Sequence, residues 1–360
     1  MALDRITLAR FRNHAATRLD GAAHLNLLVG ENGAGKTNVL EALSLFAPGR
    51  GLRRAALADM AATGVGGGFA VSARLADAGG DGVQLGTGTD ADAPNRRLVQ
   101  INGAAATAVS LGEWLAIGWL TPAMDRLFAD SAGTRRRYMD RLALALDPAH
   151  ASHAARFERA LRERNRLLAD DGDPDPRWLA SLELQLAEAG AALAQGRAQL
   201  VEQLRAELAV LPDEPFARPA LTYVPGGPLD AEGLAADLAA GRSRDRAAGR
   251  TLAGPHRDEL DVVMVGKGAP AAQCSTGEQK AMLIAMTLAH AGLAAAGRPG
   301  LLLLDEVAAH LDPVRRTALF DRLRAGQAQV WLTGTELAPF EDIAAEAAVW
   351  RVGGGQALRL

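Results

Sequence analysis

The sequence predicts an α/β fold, a mixed sheet with helices, interrupted by an inserted α-helical lobe carrying an arm. Three observations predict it. The apolar run Leu25, Leu27, Leu28, Val29 leads through a glycine-rich stretch, Gly30–Thr37, into a second run, Val39, Leu40, Ala42, Leu43, Leu45. Much later, Leu301–Leu304 is continuously aliphatic, as parallel strands buried on both faces are. Between these, from about 112 to 211, the period turns helical: Phe157, Leu161, Asn165, Leu168, then Leu182, Leu186, Leu193, Leu200, Leu204, Leu208.

In chain order, residues 1–50 read as strand, strand, glycine-rich loop and helix. Over 60–110, short alternating pieces (Phe69, Val71, Ala73, Leu75; Val83, Leu85; Leu98, Val99, Ile101) predict an antiparallel meander. Its turns fall at Gly79-Gly80-Asp81-Gly82 and Asn102-Gly103. Asp170–Pro176 breaks the helical region into two helices, a hairpin or arm over about 150–211. The second helix lacks the four clean heptads of a coiled coil. Residues 212–230, rich in Pro and Gly, read as a connector. From 250 the α/β pattern returns: strand Leu260–Val265, helix Ala281–Ala296, strand Leu301–Leu304, helix Val314–Leu323, strand Val330–Leu332. The expected division is a split α/β lobe, 1–111 with 250–360, and a helical lobe, 112–249.

The bulk composition bounds the rest. A chain of 360 residues has room for a large core and two lobes. The formal charge of −3 excludes attraction to nucleic acid by the whole surface, so such binding needs a local basic face. One cysteine, Cys274, excludes an intrachain disulfide and fits a reducing, cytoplasmic location. Asp4, Arg5, Arg10 and Arg12 are unlike a secretory signal. The longest weakly polar stretch, 281–296, holds Thr287 and His290 and is too short for a bilayer, so no membrane association is expected.

Gly30-Glu31-Asn32-Gly33-Ala34-Gly35-Lys36-Thr37 is a complete P-loop in its strand–loop–helix setting. Its glycines let backbone N–H groups face a triphosphate, helped by the positive end of the helix. Lys36 is expected to reach the β- and γ-phosphates of ATP, and Thr37 to hold Mg²⁺. Only three of the 39 basic residues are lysines, Lys36, Lys267 and Lys280, in a chain that otherwise uses arginine. Leu301–Leu304 runs into Asp305-Glu306, the Walker-B pattern. Asp305 is expected in the Mg²⁺ shell and Glu306 as general base on the attacking water, so Lys36, Asp305 and Glu306 form the catalytic set. Asp312-Pro313 reads as N-cap and first residue of the next helix, and Val307–Asp312 resembles the D-loop of ABC-type ATPases.

Ser275, Gly277 and Gln279 fit the S-x-G-x-Q form of an ABC signature, 30 residues before Asp305. The same stretch is a capping box, Ser275 with Glu278. Such a helix start can hold an anion; in ABC-type heads that anion is the γ-phosphate on the opposite protomer.

Together these residues resemble the RecF family, bacterial DNA-gap repair ATPases related to SMC heads. The resemblance covers nearly the whole chain. It rests on Leu8-Ala9-Arg10-Phe11-Arg12-Asn13, the P-loop with Asn38 and Leu40-Glu41-Ala42, and Arg135–Asp140. Leu161–Leu168, similar to "LxxRNxLL", and Ala253–Leu260, similar to "GPHRDD", add to it. The resemblance implies an ABC-type head, with Arg12, Asn13 and Asn38 joining Gly30–Thr37, Ser275, Gly277 and Gln279 around ATP. It also implies single- and double-stranded DNA binding, ATP-dependent homodimerisation, slow and DNA-stimulated ATP hydrolysis, and RecO- and RecR-like partners in loading recombinase at gaps. Two departures stand out. No glutamine lies near Leu120-Thr121-Pro122, where a Q-loop would be, and Thr333-Gly334-Thr335 replaces a switch histidine.

Positive charge collects at Arg135, Arg136, Arg137 and Arg141, then Arg156, Arg159, Arg162, Arg164 and Arg166. It reads equally as a phosphate-binding face or as a solvated helix face paired with Glu158 and Glu163. Two other functions stay open: the ATPase subunit of a transporter, and a scaffold that binds ATP without hydrolysing it. None of the lysines offers the N/T-K-x-D base reader of a GTPase.

Overall fold

The structure is a computed structural model that describes residues 2–62, 67–76, 82–170, 172, 175–212, 214–308 and 311–360. Along the chain come β1 (Ala2–Phe11), β2 (His14–Asp20), β3 (Leu25–Val29), α1 (Lys36–Ser44), β4 (Ala70–Ala76), β5 (Val83–Gly88), β6 (Leu98–Ile101), β7 (Ala104–Ala105), α2 (Ala108–Trp114) and β8 (Ala116–Leu120). Then follow α3 (Ala132–Leu146), α4 (His150–Ala169), α5 (Pro176–Ala209), β9 (Pro219–Val224), α6 (Ala231–Ala240), α7 (Arg242–Ala247), β10 (Glu259–Met264), β11 (Ala269–Pro270) and α8 (Thr276–Ala295). The chain ends with β12 (Gly300–Leu304), α9 (Pro313–Ala325), β13 (Gln329–Gly334), α10 (Glu341–Ala344), β14 (Ala348–Gly353) and β15 (Gln356–Arg359). They form two compact units, Met1–Asp125 with Leu283–Leu360, and Arg126–Met282.

The first unit carries two six-stranded sheets. One is antiparallel, in the order β2-β1-β4-β5-β6-β7. The other, β15-β14-β3-β13-β12-β8, is parallel except for β15. Strands β3, β8, β12 and β13 are buried at every residue, which explains the unbroken leucine run of β12 and the apolar majority of the other three. Helix α1 packs against β1 of one sheet and β13 of the other. Its Leu40 and Leu43 share one core with Ile6, Leu8 and Phe11 of β1, and with Leu85 and Trp331. Each such side chain contributes about 1.5–3 kcal/mol by leaving water. This core fixes the point where the P-loop leaves β3.

The second unit is built on the antiparallel pair α4 and α5, with a three-stranded sheet β11-β10-β9. Phe157, Leu168, Leu182, Leu186 and Leu193 pack with Leu234 and Leu238 of α6. Gly190 makes this possible: a Cβ there would stand 2.9 Å from Leu234 and 3.1 Å from Phe157.

The observed architecture bears out an α/β head with an inserted helical unit, and it differs from the sequence reading where strands pair with partners distant in sequence. Ala-Ile-Gly-Trp-Leu at 116–120 lies inside the stretch read as helical, but it pairs with β12 as the edge of the parallel sheet. Pro219–Val224 lies inside the supposed connector and pairs with β10. These two pairings draw 112–125 into the first unit and 250–282 into the second. Strands β14 and β15 and helix α6 have no counterpart in the sequence reading. The turn read at Gly79-Gly80-Asp81 lies outside the described residues, as do Asp171, Asp173 and Pro174 of the helix break and Ala309 and His310 of the D-loop-like segment. Among the described residues no helix is long and apolar enough to cross a membrane.

Candidate nucleotide-binding site

Strand β3 ends where Gly30 N–H donates to the Gly334 carbonyl, at the end of β13 (3.2 Å). The loop then turns on Gly33 (φ 79°) and Gly35 (φ 110°), left-handed values that favour glycine. At Gly35 the constraint is double, because a Cβ would stand 2.6 Å from the Asn13 amide and 2.8 Å from His14 Nε2. The β1–β2 turn thus presses directly on the P-loop. Asn13 Nδ2 donates to the Ala34 carbonyl (2.9 Å), Asn38 Nδ2 donates to Asn13 Oδ1 (2.7 Å), and His14 Nε2 hydrogen-bonds the Gly35 carbonyl (3.1 Å).

Arg12 faces a different partner. Its guanidinium grips the fully buried Glu41 of α1 through two bonds (2.9 and 2.7 Å) and donates to the Asp59 carbonyl (2.7 Å). Arg53 holds the same carboxylate (2.8 Å) and also the Asn38 amide oxygen (2.6 Å). The strand end that the sequence associates with ATP therefore braces the loop and α1. His14, which sequence reasoning missed, carries part of that load, and its only sequence signal was its place beside Asn13.

Lys36 is buried, and its Nζ donates to the Gly30 and Glu31 carbonyls (2.7 and 2.9 Å). Burial lowers its pKa, against the pull of Glu306 and Asp305. The ammonium is held at the rim of the loop with acids nearby, where an incoming phosphate can replace carbonyl partners.

The two Walker motifs meet. Thr37 Oγ1 donates to the Asp305 carboxylate (2.9 and 3.1 Å to its two oxygens). Asp305 N–H donates to the Leu120 carbonyl of β8 (2.9 Å). Burial pushes the Asp305 pKa up, and neighbouring Glu306 adds to the rise against the bonds from Thr333 and Thr37. Glu306 adopts φ 53°, a left-handed value that costs a non-glycine residue about 1–3 kcal/mol unless its surroundings enforce it. A carboxylate short of compensating charge, beside a threonine hydroxyl, is a donor set suited to Mg²⁺, which takes one or two carboxylates plus phosphate oxygens. Among the described residues no cluster of three His, Cys, Asp or Glu offers an all-protein metal cage.

The signature segment belongs to the second unit. Ser275 N–H donates to Glu278 Oε2 (2.9 Å) and Glu278 N–H to Ser275 Oγ (3.4 Å), so the capping box forms. Gly277 has open space around it. Gln279 is buried and donates to the Cys274 carbonyl (2.9 Å), so its amide braces the helix start. Glu278 also pairs with Lys267; that pair and the cap hold its carboxyl down at about 2.

The arginines expected to face DNA divide. Arg164 is fully buried, bonded to Glu183 (3.1 Å), Asp245 (2.7 Å), Thr251 (2.8 Å) and the Leu238 carbonyl (2.8 Å). Arg135 is committed to Glu259 and Arg136 to the Asp258 carbonyl. These leave the proposed face because partners on the elements packed against them, helices for Arg164 and the start of β10 for Arg135 and Arg136, take up their donors, and Arg141 is not exposed either. Arg137, Arg156, Arg159, Arg162 and Arg166 are exposed. Arg162 and Arg166 pair with Glu158 and Glu163, so the solvated-face reading holds for part of α4.

Comparison with known proteins bears on these motifs. A family model described as RecF/RecN/SMC N terminal domain matches residues 2–349. The chain is 48% identical over 357 residues to the DNA replication and repair protein RecF of Mesorhizobium japonicum, spanning 95% of this chain and 93% of that one. It is 45% identical to the protein of the same name from Brucella suis, spanning 99% and 96%. Among solved structures it is similar to the recombination mediator protein RecF-ATPrS in the RecFOR pathway (TM-score 0.88, 21% identity, 99% and 98% covered). It is also similar to an Smc head domain from Pyrococcus furiosus (TM-score 0.54, 15% identity, 100% and 96% covered). At these identities the structural likeness is one of fold.

Proposed function

The chain belongs to the RecF family, within the RecF/RecN/SMC N-terminal domain group, and on that premise we propose that it is an ATP-dependent DNA-binding ATPase of recombinational repair and replication. The observation that carries the ATPase reading is the Thr37–Asp305 hydrogen bond, which joins the P-loop to the acidic pair across 268 positions of sequence. ATP would lie on the backbone N–H groups of Gly33–Thr37, with Lys36 and the start of α1 facing its phosphates. Thr37 and Asp305 would hold Mg²⁺, which when bound offsets the charge on the β- and γ-phosphates. Glu306 takes the proton from water as the water oxygen bonds to the γ-phosphorus, and the bond to the bridging oxygen breaks to release ADP.

Closure is assigned to a second copy. Its Ser275 and Gly277, at an exposed helix start, reach the γ-phosphate, and the reciprocal contact gives an isologous dimer with two ATPs. Hydrolysis removes the bridging phosphate and opens the clamp. Turnover is slow and raised by DNA. Single- and double-stranded DNA at gaps are the binding targets, through the exposed arginines of α4, with RecO- and RecR-like proteins as partners in recombinase loading. Family membership weighs against a transporter subunit, and the intact Glu306 weighs against a scaffold that never hydrolyses ATP.

Light scattering with ATP and Mg²⁺ tests this. Wild type is expected to dimerise and Lys36→Ala to stay monomeric. Glu306→Gln is expected to hold its dimer, with phosphate release reduced by about 10²–10⁴. Dimers of equal strength with and without ATP would reject the reading.

A further inference from the structure

Strand β13 carries a residue that the acidic pair depends on. The register sets Leu332 beside Leu304, so the next residue on each strand, Thr333 and Asp305, are neighbours where the sheet ends. Thr333 is buried, and its hydroxyl makes two bonds there. Oγ1 donates to Asp305 Oδ1 (2.8 Å) and accepts the Glu306 backbone N–H (2.9 Å). One hydroxyl thus uses its proton on the Asp305 carboxylate and a lone pair on the backbone N–H of Glu306.

We propose that Thr333 is the positioning residue of the hydrolytic step, fixing the Asp305 carboxylate and holding Glu306 in the backbone conformation that aims its side chain. The proposal rests on the ATPase reading above and deepens it. Two observations carry it independently of sequence. Glu306 has φ 53°, a conformation a non-glycine residue keeps only where its surroundings impose it, and the Thr333 hydroxyl is the acceptor for that residue's own N–H. Asp305 accepts from two threonines, Thr37 and Thr333. If Thr37 turns its oxygen toward a cation, its proton no longer points at Asp305, and Thr333 is then the donor that keeps the carboxylate in place. Valine at 333 has the same shape and neither function. It leaves a buried carboxylate with one donor fewer and a half-buried N–H without its acceptor.

The residue acts through Glu306, so the measurement must separate chemistry from binding. In the full-length protein, Thr333→Val is expected to lower kcat by about 10- to 100-fold, the scale of a misplaced catalytic group. Its affinity for a non-hydrolysable ATP analogue, read by fluorescence with and without Mg²⁺, should stay within about threefold of wild type. Thr333→Ser restores the hydroxyl and should return kcat to within about threefold. If valine prevents folding, Thr333→Ala measured against Thr333→Ser makes the same distinction. Wild-type kcat in Thr333→Val or Thr333→Ala overturns the proposal. So does a serine variant as slow as valine, or a loss of analogue affinity equal to the loss in kcat. Wild type and Glu306→Gln serve as controls: absence of ATP hydrolysis in wild type overturns the ATPase reading itself, and wild-type hydrolysis in Glu306→Gln removes the general-base role of Glu306, whatever the Thr333 variants do.

Discussion

Buried charge is used in opposite ways around Arg164 in the arm unit and around Lys36 and Asp305 in the P-loop unit. In the arm unit Arg164 is fully enclosed, yet every face of its guanidinium is met by Glu183, Asp245, Thr251 or the Leu238 carbonyl. Nearby, Arg197 bridges Asp140 and Asp258. Burial alone would raise the Asp140 pKa, but the bonds from His150 and Arg197 outweigh it and hold the carboxyl below its ordinary value. At the nucleotide site the balance is reversed. Burial wins at Asp305, whose pKa is raised, and at Lys36, whose pKa is lowered. The networks around Arg164 and Arg197 are complete without a ligand, and the charges of Lys36 and Asp305 are not. Incomplete compensation marks the place where a charged ligand belongs.

The largest expected effect tests the first half of that contrast. Arg164→Ala leaves Glu183 and Asp245 buried without their shared cation, and breaking such a pair costs about 3–5 kcal/mol. Urea or thermal unfolding should show that loss. Glu183 retains Arg242 as a second partner, which bounds the damage on one side. An unfolding midpoint unchanged in Arg164→Ala would show that the network is ornamental, and the comparison would fail.

Much of this was legible in the sequence, and the limits are physical. The P-loop, the acidic pair and their strands are local patterns, and each folds as read, because a strand buried on both faces is dominated by apolar residues. Strands β8 and β9 were missed because their identity comes from partners far away, β12 and β10, and five or six residues carry too little periodicity to reveal them. The arginines show the same limit. Arg159 and Arg164 sit little more than one turn apart and look alike in sequence, but one is exposed and the other buried, a difference set by what α5, α6 and α7 bring to Arg164. Thr333 reads in sequence only as a substitute for a histidine; its two bonds depend on the register of β12 with β13.

An intermediate effect comes from two histidines, buried His14 in the first unit and half-buried His256 in the second. Burial lowers the pKa of His14, opposed by backbone bonds at Gly35 and Gly355, and burial lowers that of His256, with Arg257 and Arg136 adding to the fall. For a depressed folded-state pKa, the stabilisation is full above the ordinary value near 6.5 and is lost as pH falls through the lower one. Each histidine then contributes a slope of at most about 1.4 kcal/mol per pH unit in that window. Acidification below about pH 6.5 should therefore lower the unfolding midpoint. The bond to the Gly35 carbonyl uses the Nε2 proton and survives protonation at Nδ1, so the readout is stability: unfolding midpoints followed against pH should fall less steeply in His14→Gln and in His256→Gln than in wild type. An identical pH profile for all three proteins would remove both histidines from the acid sensitivity.

The smallest effect concerns the face of α4. Arg159 is exposed, whereas its neighbour one turn on, Arg162, faces Glu158 at 3.7 Å. If α4 meets the DNA backbone, Arg159→Ala should weaken binding alike on every sequence and reduce the slope of log K against log salt by about one. Arg18→Ala, at an exposed site on β2 paired to Asp20, should leave that slope unchanged. Stability should move by no more than about 0.5 kcal/mol in either variant, since neither residue is buried. The opposite result, an unaltered slope for Arg159→Ala and a reduced one for Arg18→Ala, would transfer the DNA face to the P-loop unit. The exposed arginines of α4 would then be the solvated surface that their pairing with Glu158 and Glu163 already describes.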